Sequence, residues 1–225
     1  MGASSPDRSL PVVFVHGLWM HGLTMSLLAR QVRDRGYTTL SYSYPTVRVG
    51  LDDNARRLAA FLARRTPHGA HLVGHSMGGV VILRMLACCP HPPVQRCVLL
   101  GSPIQGSALA ARLRRNALMA RVIGLSIADW LNHGPCAAPA GSEIGVIAGT
   151  RCLAAARIFG GIERPNDGVV SVAETRLPGE QDRRVLHVGH SEMLLSRRVG
   201  REIATFLDSG RFAASSLSAG RESAG

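Results

Sequence analysis

The sequence predicts an α/β protein whose mostly parallel sheet of about six strands is covered by helices on both faces. Short runs of apolar, β-branched residues alternate with longer segments of helical periodicity from Pro11 onwards. The runs are apolar at almost every position, which is typical of strands that are buried on both faces. The alternation of strand and helix favours parallel pairing, because parallel neighbours need a crossover connection.

The predicted elements follow one another from the first strand to the last helix. Strands are expected at 12–15, 37–44, 70–74, 94–100, 144–148 and 184–188, and helices at 22–35, 51–65, 76–89 and 191–207. Asp52 and Asp53 would lie at the N-terminal end of the second helix, where their negative charge stabilises the positive end of the helix dipole. An insertion at about 104–142 is helix-prone over 107–133. It forms either a cap over a site or a helix that covers the sheet.

The domain is expected to span residues 10–208, after an N-terminal extension at 1–9 and before a flexible tail at 209–225. The chain has 225 residues, of which 46% are hydrophobic and 18% charged, so a single domain with a substantial core is expected. No apolar run is long enough for a transmembrane helix.

The charge balance is strongly basic, with a net charge of +11 from 26 arginines and no lysine. The arginines are scattered, so they predict a solvated exterior rather than a nucleic-acid site. The aromatic content of 4% also disfavours a stacking surface for single strands. Peripheral contact with anionic lipid stays open. No spacing typical of a metal, nucleotide or dinucleotide site occurs, so no cofactor is predicted.

The five cysteines are an odd number without C-x-x-C spacing, which predicts buried free thiols in a reducing compartment. They are Cys88, Cys89, Cys97, Cys136 and Cys152. The first ten residues lack the apolar core of a signal peptide. Both observations predict a cytoplasmic location.

The strongest chemical signal is the G-x-S-x-G sequence Gly74-His75-Ser76-Met77-Gly78, which lies between a predicted strand and a predicted helix. The two outer glycines leave room for the sharp turn that would expose Ser76 as a nucleophile. The helix that follows would direct its N-terminal amides towards negative charge on a substrate. The alternative is a tight strand-to-helix turn whose serine has no role.

This segment resembles the nucleophile elbow of the α/β-hydrolases, most of all of small bacterial lipases and esterases, and the similarity extends over about residues 10–207. The resemblance implies an α/β-hydrolase fold and ester hydrolysis through a Ser-His-Asp triad and an acyl-enzyme. The stretch from Val12 to Trp19 resembles the strand and His-Gly turn of that family. It implies an oxyanion hole made by the backbone amides of Leu18 and Met77.

Two further positions match the resemblance. His190 follows Gly189 after the last strand and would reach Ser76, whereas His187 is expected within that strand. Asp167, in an Asn-Asp-Gly turn, is the favoured acid because the family places its acid between the serine and the histidine. Other acids remain open at this point: Asp129, Glu143, Glu163, Glu174, Glu180 and Asp182.

The substrate class is less defined than the chemistry. Trp19 and Trp130 indicate an apolar acyl pocket, or else they belong to the core. If the insertion is a cap, its arginines would face an anionic lipid or a phosphate-bearing substrate; they are Arg112, Arg114, Arg115 and Arg121. The alternatives are a thioesterase or acyltransferase acting on carrier-bound or phospholipid acyl groups, and a non-catalytic binding protein with the same fold. The sequence does not determine the oligomeric state.

Overall fold

The structure, a computed structural model, describes residues 8–116, 125–132, 134, 137–152 and 162–214. A six-stranded sheet forms its centre, in the order β2-β1-β3-β4-β5-β6. The strands are β1 (Val12–Val15), β2 (Thr39–Tyr42), β3 (Ala70–His75), β4 (Val94–Leu100), β5 (Glu143–Gly149) and β6 (Asp182–Leu186). Every pairing is parallel. The predicted fold class is therefore confirmed.

Helices cover both faces of this sheet. They are α1 (Ser26–Arg33), α2 (Leu51–Arg65), α3 (Met77–Cys88), α4 (Ala108–Arg114), α5 (125–132) and α6 (Arg197–Ser209), and a 3-10 turn at Gly22–Met25 precedes α1. Helices α1 and α6 pack together on one face, and α2 packs against α3 on the other. Helices α4 and α5 lie between β4 and β5 in the chain.

Both faces of the sheet are buried, as the apolar strands predict. Phe14 faces the apolar cluster of α1 and α6, while its neighbours Val13 and Val15 face the cluster of α2 and α3. Side chains alternate along a strand, so a strand covered on both sides must be apolar at every position. The carboxyl ends of the parallel strands share one edge, which is where ligands bind in open α/β sheets.

The last part of the domain differs from the prediction. β6 ends at Leu186, so His187 lies outside the strand and is exposed. The final helix begins at Arg197 rather than at 191, because a 3-10 turn at Glu192–Leu194 comes first and Ser196 caps the N-terminus of the helix. Glu192 accepts a hydrogen bond from the amide of Gly189 at 2.9 Å, and Ser196 accepts one from the amide of Val199 at 3.4 Å.

The chain also remains packed beyond residue 208, where the flexible tail was predicted to follow. Phe212 is buried against Phe206, with ring centroids 4.9 Å apart, and its amide donates to Asp182 at 2.8 Å. An apolar anchor of this kind extends the domain into the expected tail. At the other end, Arg8 forms an ion pair with Asp208 at 3.1 Å. Residues 1–7 and 215–225 lie outside the described part of the chain.

The expectation of buried cysteines is wrong for most of the described ones. Cys97 in β4 is buried, and burial raises the pKa of its thiol to about 12. Cys88 is exposed and Cys89 partly exposed, because α3 leaves the core there, and Cys152 is also partly exposed. Among the described residues, none of these four cysteines forms a disulfide. Cys136 lies outside the described residues. Within the described ranges, no helix has the length and apolarity needed to cross a membrane.

Candidate active site

Ser76 occupies a strained turn between β3 and α3. Its φ of 53° and ψ of −124° lie in a region that non-glycine residues rarely adopt. The turn is closely packed, since a Cβ on Gly78 would lie 2.6 Å from the carbonyl oxygen of His16, and one on Gly74 would lie 2.7 Å from the Cα of Gly79. Both positions therefore require glycine. The Ser76 amide donates to the carbonyl oxygen of Leu100 at 2.9 Å, which ties the turn to β4.

His190 and Asp167 form a close pair at the same edge of the sheet. The Nδ1 atom of His190 lies 2.8 Å from Oδ2 of Asp167, and the His190 amide donates to the Asp167 carbonyl oxygen at 3.0 Å. The Asp167 side chain is fully buried. Its Oδ1 accepts hydrogen bonds from the amides of Val169 and Val170 at 2.9 and 2.8 Å. In this pair Nδ1 donates to the carboxylate oxygen, which leaves Nε2 free to act as a base.

One cavity of about 290 Å³ brings most of the predicted site residues together. Ser76, His190, Leu18, Met77, Trp19 and Trp130 all line it. Asp167 lies behind His190, as an orienting acid would. The cavity therefore holds a serine, a histidine with a carboxylate partner, and the two residues whose amides were predicted to form the oxyanion hole.

The two tryptophans differ in burial. Trp130 is 2% exposed and belongs to the core cluster of α2 and α3. It therefore lines the cavity and is also part of the core, the two roles that were predicted as alternatives. Trp19 is 61% exposed and has a positive φ of 55°. It lies at the edge of the cavity rather than in the core. The amide of Trp19 donates to Oγ1 of Thr46 at 3.2 Å, which helps to hold the predicted oxyanion turn.

The His-Gly turn is held by buried aromatic contacts. His16 stacks on Tyr44 with ring centroids 4.7 Å apart, and the Tyr44 hydroxyl donates to the His16 carbonyl oxygen at 2.9 Å. Burial lowers the pKa of His16, so its ring is neutral at physiological pH. A Cβ on Gly17 would lie 3.0 Å from the Cβ of Ser76. The turn therefore approaches the serine as closely as a glycine permits.

Most of the competing acids have other partners. Asp129 accepts from the amide of Leu51 at 3.1 Å, and Glu174 accepts from that of Ala108 at 2.6 Å. Glu143 pairs with Arg96, Glu180 with Arg183, and Asp182 with the amide of Phe212. Glu163 is exposed. Of the seven candidate acids, it is Asp167 whose carboxylate contacts His190.

Sequence reasoning missed two neighbours of the pair. The Nε2 atom of His75 donates to the carbonyl oxygen of His190 at 3.1 Å, and the two rings lie 4.7 Å apart. Burial, followed by the neighbouring His190, lowers the pKa of His75 to about 3. Gly101 has a φ of 52°, and a Cβ there would lie 2.9 Å from Oδ2 of Asp167. The sequence signal for Gly101 is only a glycine directly after a buried strand.

Residues 12–210 match the model of the alpha/beta hydrolase family, so the chain belongs to that family. No curated protein matches the chain in sequence.

Among solved structures, the mature lipase BlEst2 of Bacillus licheniformis is similar at 21% identity and a TM-score of 0.66, over 92% of this chain and 94% of the lipase. The chain spans 53% of the propeptide form of that lipase. The metagenomic carboxyl esterase MGS0156 is similar at 21% identity and a TM-score of 0.61, over 84% of this chain and 66% of the esterase. At these identities the likeness shows a shared fold.

Proposed function

We propose that the protein is a serine hydrolase of carboxylic esters in which Ser76 is the nucleophile, His190 the general base and Asp167 the orienting acid. The observation that carries the proposal is the 2.8 Å pair between His190 and the buried Asp167, at a cavity that Ser76 also lines. Membership of the alpha/beta hydrolase family supports it, as do the lipase and esterase of the same fold.

The roles follow from the chemistry of these groups. His190 Nε2 takes the proton of the Ser76 hydroxyl as its oxygen attacks the ester carbonyl, and Asp167 stabilises the charged imidazole that results. The amides of Leu18 and Met77 donate to the oxyanion of the tetrahedral intermediate. His190 then gives its proton to the leaving alcohol. His190 next takes a proton from a water molecule as that water attacks the acyl-enzyme, and it returns the proton to Ser76 Oγ as the acid leaves.

The lining of the cavity supports an apolar acyl group. Besides the tryptophans it includes Leu109, Leu113 and Ile127 from the segment between β4 and β5. Binding pockets for small ligands usually hold roughly 300–1,000 Å³. A cavity of about 290 Å³ lies just below that range, which favours short or medium acyl chains over long ones.

The test is hydrolysis of p-nitrophenyl esters from acetate to palmitate by the wild type and by Ser76→Ala. A matched control is Ser191→Ala, because Ser191 lines the same cavity and its side chain does not cap the 3-10 turn at Glu192–Leu194. We expect the wild type to be active with an optimum at short or medium chains, Ser76→Ala to be inactive, and Ser191→Ala to stay within a fewfold of the wild type. A folded wild type without activity on any ester, or an active Ser76→Ala, would contradict the proposal.

A further inference from the structure

Two short segments, 19–27 and 191–195, begin at residues that line the cavity and carry exposed apolar side chains. The first contains Trp19, Leu23 and Leu27, with exposed fractions of 61%, 75% and 42%, and the second contains Leu195, at 62%. Six large apolar side chains are exposed to a comparable extent among the described residues, and four of them belong to these two segments. Isolated exposed leucines are ordinary, but a concentration beside a site indicates an interaction surface.

The two segments meet along α1. Leu23, Leu27 and Gln31 follow at a spacing of four residues through the 3-10 turn and α1, so they lie on one side of this helical stretch. The Nε2 atom of Gln31 donates to the carbonyl oxygen of Leu195 at 3.4 Å, which brings the second segment next to that side. Trp19 lines the cavity at the other end of the row. Trp19, Leu23, Leu27 and Leu195 therefore form an apolar row that runs from the cavity along α1.

A basic groove lies beside this row, between α1 and α6. It has a volume of about 560 Å³ and is lined by Arg30, Arg35, Arg197 and Arg201 together with Leu27, Gln31 and Asp34. In the part of the chain that the structure describes, none of the four guanidinium groups forms an ion pair with a carboxylate. Four positive groups and a single acid leave the groove with excess positive charge.

We propose that this α1–α6 face, formed by the apolar row and the four arginines, docks on an anionic phospholipid surface with the cavity turned towards the lipid. Guanidinium groups bind phosphate in the headgroup layer, while exposed leucine and tryptophan side chains enter the boundary with the acyl chains. A nucleic acid would use the arginines but leave the leucines in water, so the combination favours lipid. Docking does not depend on hydrolysis, and only the cleavage of esters in that lipid rests on the proposed function.

The test is co-sedimentation of the full chain with vesicles of phosphatidylcholine alone or with added phosphatidylglycerol. We expect binding to the anionic vesicles, and binding that weakens with salt. The double variant Arg197→Gln/Arg201→Gln should reduce the partition coefficient about tenfold or more. Leu23→Ser/Leu27→Ser should also reduce it, because the apolar contribution is lost.

Matched controls come from the other parts of the surface. Arg57→Gln/Arg64→Gln changes the charge equally on α2, which lies on the opposite face of the sheet, and Val185→Ser removes an apolar side chain that is 45% exposed on β6. Both controls should bind anionic vesicles as the wild type does. All four variants should keep the wild-type rate on a soluble short ester, so loss of docking and failure of the proposed chemistry give different results.

Three outcomes would overturn the proposal. The first is that the wild type does not sediment with anionic vesicles. The second is that the α2 arginine variant loses as much binding as the α1–α6 arginine variant, which would indicate net charge rather than a face. The third is that the leucine variant binds vesicles normally, while the wild type binds duplex DNA and Arg197→Gln/Arg201→Gln does not. That result would assign the face to a nucleic acid.

Discussion

Replacement of Asp167 by asparagine tests the role of the buried acid with almost no change of shape. The asparagine oxygen can keep the hydrogen bonds from the amides of Val169 and Val170, which lie at 2.9 and 2.8 Å. Its nitrogen would then replace Oδ2, which lies 2.8 Å from Nδ1 of His190. Two N–H donors cannot face each other at that distance. The ring would therefore accept at Nδ1 and carry its proton on Nε2, where it cannot take the proton of Ser76.

The size of the effect follows from this change of tautomer. The same aspartate-to-asparagine exchange in the triad of a serine protease lowers kcat on the order of 10⁴-fold. That factor corresponds to about 5 kcal/mol of lost transition-state stabilisation. The free energy of unfolding should change far less, because the backbone hydrogen bonds of the Asp167 loop persist.

The assay measures kcat and KM on the best p-nitrophenyl ester for the wild type, Asp167→Asn and a control variant. Thermal unfolding of all three proteins is recorded in parallel. Glu174→Gln is the matched control, since Glu174 is a carboxylate of the same loop that accepts from the amides of Ser171 and Ala108 at 2.7 and 2.6 Å. Its kcat should stay within a fewfold of the wild type. A folded Asp167→Asn with less than a tenfold loss in kcat, or an equal loss in Glu174→Gln, would show that Asp167 does not set the tautomer of His190.

Three further predictions concern the surroundings of the site. The pKa of His75 is about 3 in the folded protein and near its usual value in the unfolded chain. The free energy of unfolding should therefore fall by about 1 kcal/mol per pH unit as the pH drops below about 6.5. Urea unfolding across this pH range measures the decline, which should be flatter in His75→Gln. Gly101→Ala should lower kcat at least tenfold, whereas Gly141→Ala, with a φ of 79° and open space for a Cβ, should only destabilise by about 1 kcal/mol. Trp130→Ala should cost about 3–5 kcal/mol of stability, and Trp19→Ala should raise KM with little change in unfolding.

Each of these predictions has a contrary result. An unchanged pH profile in His75→Gln would show that the buried histidine is protonated when folded or has no part in the linkage. Equal kcat for the two glycine variants would mean that the Asp–His pair tolerates a side chain at Gly101. A Trp19→Ala variant that unfolds as early as Trp130→Ala would place Trp19 in the core.

The fold and the serine turn could be predicted because local sequence determines them. Strands buried on both faces must be apolar throughout, and a turn with the strain of Ser76 needs glycines at its crowded positions. Both requirements leave a mark within a few residues. Strand β1 and helix α2 accordingly lie at the predicted bounds.

The end of the domain could not be predicted to the same degree, because capping decides it. The pattern from 191 to 207 is helical, but Glu192 and Ser196 accept from nearby backbone amides and delay α6 until Arg197. Similarly, a segment rich in serine, alanine and glycine suggests a tail, whereas Phe212 anchors its first part to the core. A single apolar residue changes the outcome there.

The contacts around the candidate site depend on distant parts of the chain. His75 meets the carbonyl oxygen of His190 across 115 positions, and Gly101 lies against the Asp–His pair only because β3, β4 and β5 are adjacent. No spacing in the sequence encodes such neighbours. The Arg-lined groove is a similar case, since α1 and α6 stand at opposite ends of the chain.

Ser76 is proposed as the activated nucleophile, and a reagent that reacts only with an activated serine tests this role at the atom concerned. The wild type, Ser76→Ala and Asp167→Asn would be treated with a fluorophosphonate, and the modified peptide located by mass spectrometry. We expect one adduct on Ser76 in the wild type, none at that position in Ser76→Ala, and a much slower reaction in Asp167→Asn. A wild type that stays unlabelled, or an adduct on another serine that survives in Ser76→Ala, would contradict this role.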